Sequence, residues 1–331
     1  MKEMNQKAGL KITVAGCGRW GSFIAWYLDK LGHSVTLYGR ESSPHMKQLL
    51  AERKNDQIEL SDSTELSCSY DSFAQSDVII ISIASQALRG FLSELAPLGL
   101  KDKIFVLCMK GIEIETTKRL SEIVEENTDP SNKIAVWLGP GHVQEFYAGV
   151  PNCMVIDSKD NSVKTLLVDE FSGELIRFYY GSDIIGNEVG AAAKNVIGIA
   201  AGMLDGLGLS SLKGALMSRG THEVARLITA MGGSGLSAYG LCHLGDYEAT
   251  VFSKYSHNRT FGESFVKGEK FDFLAEGYYT VKALMKLSEK YGVELPICEA
   301  VYNVLYCSAD VKETLASLFA RSLKFEQGRN V

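Results

Sequence analysis

Six residues near the N-terminus, Gly16-Cys17-Gly18-Arg19-Trp20-Gly21, constrain the fold more than any other stretch. This GxGxxG run lies directly behind a β-branched segment at 11–15 and at the head of a helical pattern over 19–31. Gly16 permits a tight turn, Gly18 lets the backbone approach a pyrophosphate, and Gly21 lets helix and strand pack closely. The free N–H groups and the positive end of the helix then face the phosphates. A dinucleotide-binding strand–helix–strand unit is therefore expected at the start of the chain.

The surrounding pattern agrees. Further strands are expected over 34–38, 78–83, 104–107 and 134–138, with helices over 44–52, 86–95 and 117–125 between them. These strands are nearly all apolar rather than alternating, as strands covered on both faces are. Strand–helix alternation of that kind makes a doubly wound, mostly parallel sheet, which strands over 152–156 and 175–179 would extend. After residue 186 helical periodicity and glycine punctuation take over, with no strand pattern. The chain thus reads as an α/β Rossmann-type domain over 1–186 and an all-α substrate and catalytic domain over 187–331, the second opening on a helix near Glu188. Its 331 residues are enough for two cores. Residues 1–8 and 325–331 read as loose ends.

Composition removes other classes. With 34 Lys+Arg against 40 Asp+Glu the formal charge is −6, which argues against a nucleic-acid partner. No apolar run reaches the roughly 20 residues of a membrane helix, so no membrane insertion is expected. The first ten residues lack the apolar core of a signal peptide, and a cytoplasmic address follows. Seven cysteines, an odd count without a CxxC pair, read as reduced thiols, mostly buried. His222, His243 and His257 have no compact zinc spacing, so no metal is expected. The charged stretch over 118–126 reads as a solvated helix face, and Asp205 as a loop or cap residue.

Two further positions bear on chemistry. The second strand ends in Tyr38-Gly39-Arg40, where an acidic residue usually holds the ribose of NAD. Arg40 suits the 2′-phosphate of NADP, or stacking on adenine, and tilts the expectation to NADP without excluding NAD. In the helix opening at Asn187, Lys194 has Gly190, Ile197, Gly198 and Ala201 as face-mates, none of them polar. Small residues all round mean that something packs very close. A lysine there is partly desolvated, which lowers its pKa and suits it to proton transfer.

With these motifs the chain resembles the NAD(P)-dependent glycerol-3-phosphate dehydrogenases of the soluble bacterial type, from Lys11 to about Tyr306. The resemblance rests on Gly16–Gly21, Ser85-Gln86-Ala87-Leu88-Arg89, Lys110-Gly111-Ile112-Glu113, Gly139-Pro140 and Glu188–Asn195. It continues through Asp205-Gly206-Leu207-Gly208, Arg219-Gly220, Leu244-Gly245-Asp246, Ser256–Gly262, Glu276-Gly277 and Leu295-Pro296-Ile297. It implies reversible hydride transfer between NAD(P)H and dihydroxyacetone phosphate, giving sn-glycerol 3-phosphate for glycerophospholipid synthesis, and a homodimer. By the same resemblance Lys194 matches the proton donor/acceptor, Lys110 a lysine that contacts substrate beside the nicotinamide, and Asp246 and Thr250 their polar partners. Gly139, Gly141, Ser256, His257, Asn258 and Arg259 match substrate-binding positions. Gly16, Gly18, Arg19, Trp20, Gly21, Arg40, Lys110, Val143, His257 and Glu276 match the cofactor side.

The departures cluster at the substrate-phosphate end. His257 stands where the family has an arginine that binds the phosphate and reaches the cofactor. An Arg fork makes two charge-assisted bonds; a histidine makes one and is charged only below about pH 6.5. Losing such a contact costs about 1.5–3 kcal/mol. Gly141 replaces a hydroxyl residue, and His142 and Val143 stand where Phe and Ala are usual. Three readings stay open: the same activity with Lys254, Arg259 or a histidine covering the phosphate, a dehydrogenase for another small hydroxy or keto substrate, or a non-catalytic dinucleotide sensor.

Overall fold

The apolar runs form one sheet. Its strands are β1 (Lys11–Ala15), β2 (Ser34–Tyr38), β3 (Glu65–Ser67), β4 (Val78–Ile81), β5 (Ile104–Leu107), β6 (Lys133–Leu138), β7 (Asn152–Ser158) and β8 (Ile176–Tyr180). This computed structural model describes residues 9–322; the expected loose ends at 1–8 and 325–331 lie outside the described residues. The strand order is β3-β2-β1-β4-β5-β6-β7-β8. Every neighbouring pair is parallel except β6 and β7, where the chain reverses.

Successive side chains of a strand point to opposite faces. Ile80 of β4 accordingly joins one core with Phe23 and Leu28, while its neighbours Ile79 and Ile81 join a second with Leu88 and Phe91. The helices that cover the two faces are α1 (Arg19–Lys30), α2 (Pro44–Glu52), α3 (Asp71–Gln75), α4 (Leu88–Leu95), α5 (Leu120–Asn127), α6 (Val143–Tyr147) and α7 (Asn161–Phe171). Two-sided cover is the reason for the unbroken apolar runs.

The rest of the described chain is helical: α8 (Ile184–Gly206), α9 (Lys213–Ala230), α10 (His257–Lys267), α11 (Glu276–Tyr291), α12 (Pro296–Tyr306) and α13 (Val311–Phe319). Helix α8 is buried over nearly its whole length, which its all-round apolar sequence requires. Glycine sets how near its neighbour comes. A Cβ at Gly202 would sit 1.9 Å from the Arg259 carbonyl oxygen, and one at Gly262 would sit 2.1 Å from that of Ile199. Helices α8 and α10 thus cross with backbones in contact. No helix among the described residues is long and apolar enough to cross a membrane.

Several expectations shift. Helix α8 starts four residues before Glu188, because the Asp183 carboxylate accepts from the Gly186 N–H at 3.0 Å and caps it there. The stretch over 118–126 is not simply a solvated face. Arg119 is buried, its guanidinium 2.5 Å from Glu188, whose other oxygen accepts from the Ser121 N–H at 2.9 Å. Asp205 lies in the last turn of α8, not in a loop, and its buried carboxylate holds Lys213 and Arg259, each at 2.6 Å. All seven cysteines are free thiols, four of them buried, with Cys68 and Cys307 exposed.

Candidate active site

Four segments converge where the C-terminal ends of the parallel strands meet the helical domain: the loop after β5, the turn after β6, the middle of α8, and the turns over 244–252. Lys194, on α8, is buried with its Nζ 2.6 Å from Asp246 Oδ2, and it donates to Thr250 Oγ1 at 2.7 Å. The Thr250 hydroxyl donates in turn to the Asp246 carbonyl at 2.7 Å, so it offers Lys194 only lone pairs. Gly198 makes this approach feasible, since a Cβ there would meet the Thr250 methyl at 2.7 Å. The small residues around Lys194 thus have the close neighbour that the sequence anticipates.

Lys110, from the loop after β5, donates to the same Asp246 Oδ2 at 2.7 Å and to the Gly139 carbonyl at 2.8 Å. Two ammonium groups therefore share one fully buried carboxylate. Burial pushes the Lys194 pKa down to about 7; Asp246 opposes the fall and the Lys110 cation deepens it. Lys194 can therefore be charged or neutral near neutral pH.

Asparagines brace this cluster. Asn195 donates to the Lys110 carbonyl at 3.2 Å, Asn258 to the Asn195 side chain at 3.1 Å, and the Gly277 N–H to Asn258 Oδ1 at 2.9 Å. Ser256 caps α10, its hydroxyl accepting from the Arg259 N–H at 3.3 Å. Arg259 faces Asp205 and Glu263, and Lys254 lies over the Tyr255 ring.

His243, weighed in the sequence only as a metal ligand, does something else. Its ring is completely buried, with Nδ1 2.8 Å from the Gly190 carbonyl and Nε2 2.7 Å from the Tyr247 hydroxyl. Burial lowers its pKa to about 4, so the neutral ring ties α8 to the loop carrying Asp246. Its position four residues before Tyr247, next to Asp246, was the available signal. No group of three or more His, Cys, Asp or Glu side chains able to hold a metal ion occurs among the described residues.

The glycine loop fits a dinucleotide. Gly16 has φ +111°, and a Cβ there would lie 2.2 Å from the Ser82 carbonyl oxygen. A Cβ at Gly18 would meet nothing within 4 Å, so the space before the helix end is open. Helix α1 has no side-chain cap and no acid in its first turn, which leaves its positive end to a phosphate. Trp20 turns inward against Phe23 and Phe146, and Val143 is buried in the same cluster.

Arg19 reaches the helical domain, its Nη2 3.1 Å from His257 Nε2. His257 Nδ1 lies 3.2 Å from the Leu274 carbonyl, which takes its proton and leaves Nε2 to accept from Arg19. Burial, with Arg19 adding to it, holds the ring pKa below its ordinary value. Glu276 opens α11 and accepts from the Ser85 hydroxyl at 2.7 Å; burial raises its pKa. Arg40, mostly exposed at the end of β2, lies 3.4 Å from Glu94.

Known proteins share the sequence and fold of this chain. Residues 11–164 match the model for the N-terminus of NAD-dependent glycerol-3-phosphate dehydrogenase, and residues 183–316 match the model for its C-terminus. The glycerol-3-phosphate dehydrogenase [NAD(P)+] of Bacillus subtilis (strain 168) is 36% identical over 96% of each chain. That of Thermoanaerobacter sp. (strain X514) is 33% identical over 96% of this chain and 99% of its own. The crystal structure of glycerol-3-phosphate dehydrogenase from Coxiella burnetii superposes with a TM-score of 0.88, at 27% identity over 95% of this chain and 99% of its own. On its sequence and its fold, this chain belongs to the NAD-dependent glycerol-3-phosphate dehydrogenase family.

Proposed function

We propose that the chain interconverts dihydroxyacetone phosphate and sn-glycerol 3-phosphate with NAD(P)H, and that Lys194 moves the proton. The observation that carries this is the buried Lys194 ammonium held between Asp246 Oδ2 at 2.6 Å and Thr250 Oγ1 at 2.7 Å. An ammonium has three N–H groups. Two are engaged here, and the third is the one that reaches the C2 oxygen of the substrate.

Gly16, Gly18, Gly21 and the start of α1 would hold the pyrophosphate of the cofactor, with Arg19, Trp20, Val143, His257 and Glu276 around it. Arg40 would hold the adenosine end and favour NADP. When bound, the nicotinamide supplies the hydride at C2 or takes it up. In the reducing direction Lys194 gives its proton to the C2 oxygen and becomes a neutral amine; in the oxidising direction it takes that proton back. The Asp246 carboxylate holds both lysines in place, and Lys110 contributes a second N–H to the substrate oxygens. Gly139, Ser256 and Asn258 shape the substrate end. A dimer, a cytoplasmic address and a role in glycerophospholipid synthesis belong to the same reading.

Purified chain with NADPH and dihydroxyacetone phosphate is expected to lose nicotinamide absorbance. No turnover with cofactor binding intact would overturn the substrate assignment. A second reading, another small hydroxy or keto substrate, draws on the phosphate end, where His257 is neutral and Arg259 is already paired with Asp205. Turnover confined to an unphosphorylated compound would favour it.

A further inference from the structure

We infer that His142 is a substrate-binding residue, its Nε2 hydrogen-bonding an oxygen of the three-carbon substrate beside Lys194. This rests on the substrate reading above.

The turn after β6 lines the site, because Lys110 donates to the Gly139 carbonyl. Two residues on, Gly141 has φ +146°, and a Cβ there would lie 2.1 Å from the Phe146 ring. Residue 141 therefore presents no side chain to the site. His142 is the first residue of the turn that can. Its ring packs edge-on against Tyr255 from the helical domain, with centroids 5.5 Å apart, so it spans the seam between the two domains.

Its Nε2 is shut off from solvent and has no hydrogen-bond partner among the described residues. A buried polar nitrogen without a partner is costly, and its presence needs a reason. A ligand oxygen supplies one. The turn that carries the ring is tied to the lysine cluster, because the Gly139 carbonyl accepts from Lys110, which shares Asp246 Oδ2 with Lys194. The Lys194, Lys110 and Arg19 cations all act on the ring. Burial and those cations keep it neutral, with a pKa of about 4. A neutral imidazole offers Nε2 as an N–H donor or as a lone pair, according to its tautomer. Either suits a carbonyl or hydroxyl oxygen, and neither adds charge to a site that already has two ammonium groups.

The test compares wild type, His142→Phe and His142→Gln as full chains, reading KM and kcat for dihydroxyacetone phosphate, NADPH affinity by fluorescence, and the melting temperature. His142→Phe is expected to raise KM about ten- to a hundredfold, with NADPH affinity and melting temperature unchanged. His142→Gln, which keeps a hydrogen-bonding group, is expected to recover much of that loss. An unchanged KM in His142→Phe overturns the assignment, as does a loss of melting temperature without a rise in KM. If wild type binds NADPH but does not turn over the substrate, the substrate reading itself has failed and takes this assignment with it.

Discussion

Lys194 Nζ lies 2.6 Å from Asp246 Oδ2, the same oxygen that holds Lys110 at 2.7 Å. One buried carboxylate thus neutralises one of two ammonium groups, and the Lys194 pKa falls to about 7 through burial. Reduction consumes the protonated form, so its rate is expected to fall about tenfold per pH unit above that pKa. Oxidation consumes the neutral amine and is expected to fall below it. Rate profiles in both directions check this; a flat profile across neutrality would exclude Lys194 as the proton carrier. In Asp246→Asn the counter-charge is gone while Lys110 remains, so the alkaline limb of reduction is expected to move to lower pH. Lys194→Ala is expected to lower kcat by roughly 10²–10⁴ while leaving cofactor affinity near wild type.

Arg19 donates to a neutral His257 across the domain seam. His257→Arg would set two guanidinium groups against each other in the free protein and lower its melting temperature. A bound phosphate would bridge both. The KM for dihydroxyacetone phosphate is expected to fall about tenfold, and inorganic phosphate is expected to raise the melting temperature more in the variant than in wild type. An unchanged or higher KM would mean that position 257 does not face the phosphate.

The sheet was legible because burial on two faces leaves a dense apolar signature, and β1, β2 and β5 fall where the pattern sets them. Strand β3 was not anticipated: three residues at a half-buried edge carry too little apolar sequence. Helix α7 was readable in principle, with Asp160 as its cap and Val163, Leu167, Val168 and Phe171 at helical spacing. Lys194 stood out by its apolar face-mates. Its contact with Asp246 spans 52 positions and passes through a turn that carries no periodicity, so only the resemblance pointed to it. The Arg19–His257 contact left no trace in either local pattern, because it depends on how the two domains meet.

At the adenosine end, Arg40 is mostly exposed and pairs with the exposed Glu94 at 3.4 Å. An exposed pair of this kind contributes little to stability, so the guanidinium is free to serve a 2′-phosphate. Arg40→Ala is expected to raise KM for NADPH about tenfold or more and to leave KM for NADH within about twofold. Steady-state kinetics with both cofactors decides this. Equal effects on the two would indicate stacking on adenine rather than phosphate recognition.

Gly141 looks in the sequence like a simple loss of a substrate-binding hydroxyl, which Gly141→Ser should restore. The structure argues otherwise. Its φ of +146° lies in a region that side chains with a Cβ rarely adopt, and the Phe146 ring fills the space a Cβ would need, 2.1 Å away. Phe146 is itself fully buried and stacked on Phe23 at 5.0 Å, so it has little room to retreat. Gly141→Ser is therefore expected to destabilise the fold by roughly 1–3 kcal/mol and to leave KM for dihydroxyacetone phosphate unimproved. Pairing it with Phe146→Leu should recover part of the steric cost but not the backbone strain. Denaturant unfolding of the single and double variants measures both. A stable Gly141→Ser with a lower KM would show that the turn can open and that the hydroxyl position is still available.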